Sequence, residues 1–115
     1  MNRRQTGARY EEMAARALYA SGYRILERNF RCRQGEIDIV ASHKNYLVFI
    51  EVKYRRDSRS GFPEEAVDRR KQAAIIKTAK FYMKRYGYDL SHPCRFDVVS
   101  VEGRNVKIIE DAFWS

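Results

Sequence analysis

Three observations predict an α/β domain built as a small mixed β-sheet flanked by helices, in the order αβββαββ. Two segments carry apolar residues at helical spacing, one at the N-terminus and one in the middle of the chain. Five short runs are rich in β-branched and aromatic residues, three before the second helix and two after it. Long alternation of strand and helix is absent, as are a GxGxxG turn and a Walker loop, which argues against a doubly wound nucleotide-binding fold. At 115 residues, with no repeat, linker or low-complexity tract, the chain reads as a single domain over residues 1–115.

The first helix is expected from about Gln5 or Thr6 to Ser21, with Gly22 as its stop. Its apolar stripe is Tyr10, Met13, Ala14, Ala17 and Leu18; Glu12 faces away from the stripe, and Glu11 lies at its edge near Leu18. Strands are expected over Tyr23–Arg31, Glu36–Ala41 and Tyr46–Tyr54, with Ser42–Asn45 as a polar turn. Arg55–Gly61 reads as a charged loop. Pro63 then opens a long helix from about Glu64 to Tyr86, and Gly87 ends it. Glu64 and Glu65 suit the positive end of that helix dipole. Arg95–Glu102 and Asn105–Glu110 form a last hairpin around Gly103, and the apolar Ala112-Phe113-Trp114 is expected to pack on the core.

A composition of 44% hydrophobic and 33% charged residues fits a folded globular protein and excludes a disordered one. The formal net charge of +8 and a pI near 9.7 point to a polyanionic partner, most simply nucleic acid. Cys32 and Cys94 lack the paired spacing of a zinc site and read as plain thiols in a reducing compartment. His43 and His92 are isolated and read as loop residues. No apolar run approaches the roughly 20 residues of a membrane span, so no membrane partner is expected. A polar helix follows the first residues where a signal peptide would be apolar, so a cytoplasmic location is expected.

The chemistry concentrates in Gly35-Glu36-Ile37-Asp38 and Glu51-Val52-Lys53. Phosphodiester hydrolysis uses such a set: carboxylates to hold a divalent metal, and an ammonium beside the attacking water. Strand alternation puts Glu36, Asp38 and Val40 on one face, and Leu47, Phe49, Glu51 and Lys53 on one face. An even loop centred on His43 and Lys44 would set Glu36 opposite Glu51 and Asp38 opposite Phe49. Asp38 and Glu51 would then be diagonal neighbours with Cβ atoms roughly 7 Å apart or less, close enough to share a cation. An odd loop would put the faces out of phase. Lys71 falls in the middle of the buried stripe of the second helix, with Val67, Ala74, Ile75, Thr78, Ala79 and Tyr82. A lysine there must snorkel or meet a carboxylate or phosphate. The bland reading of Glu51 and Lys53 is an exposed strand end; carboxylates collected on one face, and Lys71 out of place, weigh against it. Asp97, beside Arg95, reads as a local structural charge.

The residues also resemble a known family. Gly7-x-x-x-Glu11, Gly22-Tyr23, Arg28-Asn29-Phe30, Gly35-Glu36-Ile37-Asp38, Phe49-Ile50-Glu51-Val52-Lys53, Glu65-Ala66-Val67, Lys71 and Arg95-Phe96-Asp97-Val98-Val99 look like the bacterial YraN family, over nearly the whole chain. That family resembles the archaeal Holliday-junction resolvases and, more widely, PD-(D/E)xK nucleases with a restriction-endonuclease-like fold. The resemblance implies metal-binding acids at Asp38 and Glu51. It implies a water-orienting lysine at Lys53, the resolvase helix-1 glutamate at Glu11, and an added polar residue at Lys71. Ile37 departs from the proline of the broad motif, and Tyr54 stands where relatives often have threonine.

Together these readings imply a metal-dependent DNA endonuclease-like protein, with branched DNA among the candidate substrates. Mg²⁺ (or Mn²⁺) would sit between Asp38 and Glu51 with the Val52 carbonyl, since the donors are all oxygen. Glu36 or Glu11 would complete the metal shell. Arg55, Arg56, Arg59, Arg69 and Arg70 would contact phosphates without sequence choice. Resolvase-type relatives pair up and cutting two strands calls for two sites, so a homodimer is an expectation carried by the resemblance. The rival is a non-catalytic nucleic-acid-binding protein that keeps the fold; a scaffold for an acidic protein partner is a weaker third reading.

Overall fold

The computed structural model describes residues 3–55 and 67–113, with side chains from residue 7 onward. The elements are α1 (Arg3–Ala20), β1 (Arg24–Cys32), β2 (Gly35–His43), β3 (Tyr46–Arg55), α2 (Arg69–Arg85), β4 (Cys94–Glu102) and β5 (Asn105–Phe113). The expected order αβββαββ is the observed one. The sheet runs β1-β2-β3-β4-β5, and only β3 and β4 are parallel. A parallel pair needs a crossover connection, and the segment containing α2 provides it.

The two helices cover opposite faces. α1 lays Ala14 and Leu18 on Ile39, Val48, Ile50, Val99 and Val101. α2 lays Ile75, Ala79 and Tyr82 on Val40, Leu47, Phe49, Phe96 and Val98. The split follows strand alternation, odd and even positions of one strand serving different helices. Each fully buried Leu, Val or Phe is worth roughly 1.5–3 kcal/mol, so these two layers are the main source of stability. Phe113 joins the second layer, its ring 5.1 Å from that of Phe96, as expected; Trp114 lies outside the described residues.

Four details differ from expectation. α2 begins at Arg69, because the Asp68 carboxylate accepts the Lys71 N–H at 2.9 Å and caps the helix; residues 64–66 lie outside the described residues. The β2–β3 turn is Lys44-Asn45, with φ of 50° and 69°, between paired His43 and Tyr46. Positive φ at both central residues gives a type I′ turn, whose twist suits a two-residue hairpin. The loop is even, so the faces stay in phase, but the register moves: Val40 faces Phe49 and Ile39 faces Ile50. Third, alternation breaks at Asp38, since Ile37 packs with the α2 layer while Ile39 packs with the α1 layer. Fourth, His43 is a buried strand residue, not a loop residue.

A buried polar cluster explains His43. Arg95 grips Asp97 with two hydrogen bonds, Nε to Oδ1 at 2.8 Å and Nη2 to Oδ2 at 2.7 Å. The Tyr23 hydroxyl donates to Asp97 Oδ2 at 2.7 Å, and the Asp111 N–H donates to Oδ1 at 2.9 Å. His43 stacks on Tyr23 with ring centroids 3.9 Å apart, and its Nδ1 lies 2.8 Å from Arg95 Nη2. Asp97 therefore is the structural charge the sequence suggested, and it ties β4 to β5 and to the end of α1.

Removing one partner of a buried pair leaves an uncompensated charge. Asp97→Ala is expected to destabilise the protein by about 3–5 kcal/mol, and Tyr23→Phe by about 1–2 kcal/mol. Urea denaturation followed by circular dichroism measures both, and equal losses in the two variants would contradict the assignment.

Candidate functional site

β2 and β3 part company after the Ile39–Ile50 pair. Continuing the register by one step would set Asp38 directly opposite Glu51, not diagonal to it. In the fork, the Val52 N–H donates to Asp38 Oδ2 at 2.8 Å. Asp38 thus supplies the acceptor that the departing strand no longer offers. Gly35, at the start of β2, has φ +151°, and a Cβ there would lie 3.1 Å from Thr78 Oγ1 of α2. The absence of a side chain lets this hairpin close on α2.

Glu51 is the most enclosed acid of the fork, with a side chain 6% exposed. Its Oε1 lies 2.6 Å from Lys71 Nζ and 3.8 Å from Lys53 Nζ. Lys71 therefore meets a carboxylate, as its place on the buried stripe of α2 demands. Burial, then the nearby Asp38 charge, pushes the Glu51 carboxyl up to about 7 despite both lysines. Burial also raises Asp38, against the opposing pull of the Val52 N–H and Lys71. Lys53 is held below its ordinary value by burial and by its neighbour Lys71. Burial alone would lower Lys71, but its contacts with Glu51 and Lys53 hold it above the ordinary lysine value.

Glu11 reaches the same region from α1. With Gly7, Tyr10, Asp38, Val52 and Tyr54 it lines a hollow of about 190 Å³. Its Oε1 accepts from Asn29 Nδ2 at 2.9 Å, and burial followed by Asp38 raises its carboxyl. Glu12, by contrast, is an exposed partner of Arg28 at 2.8 Å, matching its outward position on the wheel.

The remaining candidates are placed differently. Glu36 turns to Arg31 at 3.0 Å with a side chain 56% exposed; the observed register carries it past the fork, so it does not face Glu51. Arg55 is the last residue of β3, not the first of a loop; it is buried, and its Nη2 has no partner among the described residues. Arg69 and Arg70 are exposed at the start of α2, and Arg56 and Arg59 lie outside the described residues.

Two features escaped sequence reading. Asn29 sits at φ 55°, a conformation Asn tolerates better than most, and from there it holds Glu11. Tyr10 and Tyr54 stack with centroids 3.9 Å apart, closing the hollow; no spacing rule links them in sequence. Among the described residues no three His, Cys, Asp or Glu side chains are arranged to hold one metal. The oxygen donors at the fork are the Asp38 and Glu51 carboxylates with adjacent main chain. Two desolvated acids near each other, with raised pKa values, are the chemistry that a hard divalent cation relieves, so the donor set fits Mg²⁺ or Mn²⁺.

The family described as uncharacterised protein family UPF0102 matches residues 10–101. A UPF0102 protein of Lachnoclostridium phytofermentans is 50% identical over 113 residues, covering 98% of this chain and 96% of the relative. One from Syntrophus aciditrophicus is 48% identical over 113 residues, covering 95% and 88%. One from Symbiobacterium thermophilum is 48% identical over 115 residues, covering 96% and 97%.

A carboxylate whose pKa is raised on folding weakens the fold as pH climbs through that interval. Glu51 moves from an ordinary 4.5 to about 7, so its contribution is intact below pH 4.5 and is lost as pH approaches and passes 7. Between pH 5 and pH 8 at fixed ionic strength, and without divalent metal, wild type is expected to lose on the order of 1–3 kcal/mol through this residue. Glu51→Gln should lose visibly less over the same range. Identical pH profiles from denaturation midpoints would show that Glu51 is not desolvated.

Proposed function

The chain belongs to the UPF0102 (YraN) family, and from the fork between β2 and β3 we propose that it is a metal-dependent DNA endonuclease-like phosphodiester hydrolase. The observation that carries this reading is the buried Glu51, bracketed by Lys71 at 2.6 Å and Lys53 at 3.8 Å next to Asp38. A fold gains little by desolvating two acids side by side unless a cation and an anionic ligand are to meet there. The basic net charge of +8 supports nucleic acid as that ligand.

Asp38 and Glu51 would hold Mg²⁺ or Mn²⁺, with the Val52 carbonyl as a further donor. Bound there, the cation would polarise the scissile phosphate and lower the pKa of a coordinated water. Lys53 has the placement to orient an attacking water and to balance negative charge developing on the phosphate. Lys71 opposes the effect of burial on Glu51 and positions its carboxylate. Glu11, held by Asn29, borders the hollow beside Asp38 and can steer a water through its raised carboxyl. Arg69 and Arg70, exposed at the start of α2, are assigned to phosphate contacts together with Arg56 and Arg59, and Arg55, buried at the end of β3, is left out. Glu36, engaged with Arg31, is left out of the metal shell.

One observation favours a second reading. Lys71 already sits on Glu51, and no trio of metal-ligand side chains converges among the described residues. A nucleic-acid-binding protein that has kept the fold without the chemistry would carry such a self-neutralised site.

The two readings separate in one assay, with labelled linear, flap and four-way-junction DNA incubated with Mg²⁺ or Mn²⁺. Cleavage that falls by roughly 10²-fold or more in both Asp38→Ala and Lys53→Ala is the expected result. Binding without cleavage of any substrate, unchanged in Asp38→Ala, would establish the binding module instead. Binding that is insensitive to salt would argue against nucleic acid and for an acidic protein partner.

A further inference from the structure

α2 carries seven Lys or Arg and no Asp or Glu in its 17 residues. Only Lys71 is absorbed by the fork. Arg70, Lys77, Lys80 and Lys84 are exposed and fall within an arc of roughly 80° on the side opposite Ile75, Ala79 and Tyr82. None of the four forms an ion pair among the described residues. Like charges three and four residues apart destabilise a helix, so the row costs stability unless a polyanion lies along it.

The row is not merely charged. Lys77, Lys80 and Lys84 rim a cleft of about 550 Å³ whose floor is Phe81, Tyr88 and Leu90. Leu90 is 67% exposed and Phe81 38%, a combination that a solvated basic face does not need. The nearby Asp89 carboxylate is turned onto the Ser91 N–H and hydroxyl, both at 2.8 Å, so it does not neutralise the rim.

We propose that this outer face of α2 is a second nucleic-acid site, which takes a single-stranded arm of DNA leaving the fork. Phosphates of the arm lie along Lys77, Lys80 and Lys84, and an unpaired base rests on the Phe81 and Leu90 floor. Arg70 to Lys84 spans about 21 Å of helix, and its first member adjoins Lys71, so the row begins where the fork ends. A duplex hides the flat faces of its bases, whereas a single strand presents them, and base-on-aromatic contacts are worth about 1–3 kcal/mol each. Lysines act as point charges on a backbone, without sequence choice. The inference rests on the nucleic-acid part of the reading above, and not on cleavage.

Fluorescence anisotropy in EDTA tests it, with a blunt duplex and the same duplex bearing a short oligo(dT) tail. Wild type is expected to bind the tailed DNA about tenfold or more tighter, a gain of one good stacking contact plus phosphates. In the Lys77→Gln/Lys80→Gln/Lys84→Gln variant the tail advantage should fall to about twofold or less. Its salt slope on tailed DNA should drop by about 2, and its affinity for blunt duplex should be unchanged. Leu90→Ser, at a surface position, should lose part of the tail advantage without touching the salt slope. No tail advantage in wild type, or equal losses on both DNAs in the triple variant, would overturn the proposal while leaving nucleic-acid binding intact. Failure of wild type to bind either DNA would overturn the nucleic-acid reading together with it.

Discussion

One hydrogen bond organises the fork between β2 and β3. When β2 leaves β3 after the Ile39–Ile50 pair, the Val52 amide loses its ladder acceptor, and a buried N–H cannot go without one. The Asp38 carboxylate takes that role at 2.8 Å. The bend in β2, the opening between the strands and the inward position of Asp38 are consequences of the same exchange. The fork also carries Glu51 away from water, where it needs a cation, and Lys71 at 2.6 Å and Lys53 at 3.8 Å are within reach. A side-chain carboxylate thus replaces a backbone carbonyl in the ladder, and the fold at this point cannot be separated from the candidate site.

The opposite face of the sheet, beside Ile50, carries an acid whose role is structural. Asp97 is fully buried, yet Arg95, Tyr23 and the Asp111 amide occupy its oxygens with four short bonds. Asp38 and Glu51 are also withdrawn from water, but burial dominates their neighbours and raises both. Complete satisfaction rigidifies; incomplete satisfaction leaves the acids costly to ionise. The contrast lies in partners and not in residue type.

Most of the architecture was legible because it depends on local chemistry. Gly22 and Gly87 end the two helices where expected, and the Tyr23 and Tyr88 amides bond back to Leu18 and Met83 across them. The even β2–β3 loop was readable as a requirement of face phase, and Lys71 as a cation stranded on an apolar stripe. What was not legible depends on contacts distant in sequence. The shift of register follows from the left-handed turn at Lys44-Asn45 and from His43 being held by Tyr23 and Arg95. Glu36 left the cluster for the same reason. Asn29 and the Tyr10–Tyr54 stack reach the site only once α1 is laid across the sheet. α2 starts at the Asp68 cap, whereas Pro63 with the acids Glu64 and Glu65 supplied the start expected from sequence.

That cap has a further consequence, because it fixes the first turn of α2, from which Lys71 reaches Glu51. A slip of the whole helix by one residue would turn every side chain by about 100° relative to the sheet, and the buried Ile75, Ala79 and Tyr82 hold against it. Asp68 fixes the start through the Lys71 amide, and the Tyr88 N–H to Met83 bond fixes the end. Between them a Cβ at Gly35 would crowd Thr78 Oγ1 at 3.1 Å and meet Ala74 Cβ at 3.6 Å, so the glycine lets β2 approach the helix closely. Held in this way, α2 delivers Lys71 to Glu51 on one side and the row from Arg70 to Lys84 to solvent on the other. Loosening the cap at Asp68 would fray the first turn, which carries Arg70 and Lys71, whereas substitutions at Lys77, Lys80 and Lys84 leave the fork in place.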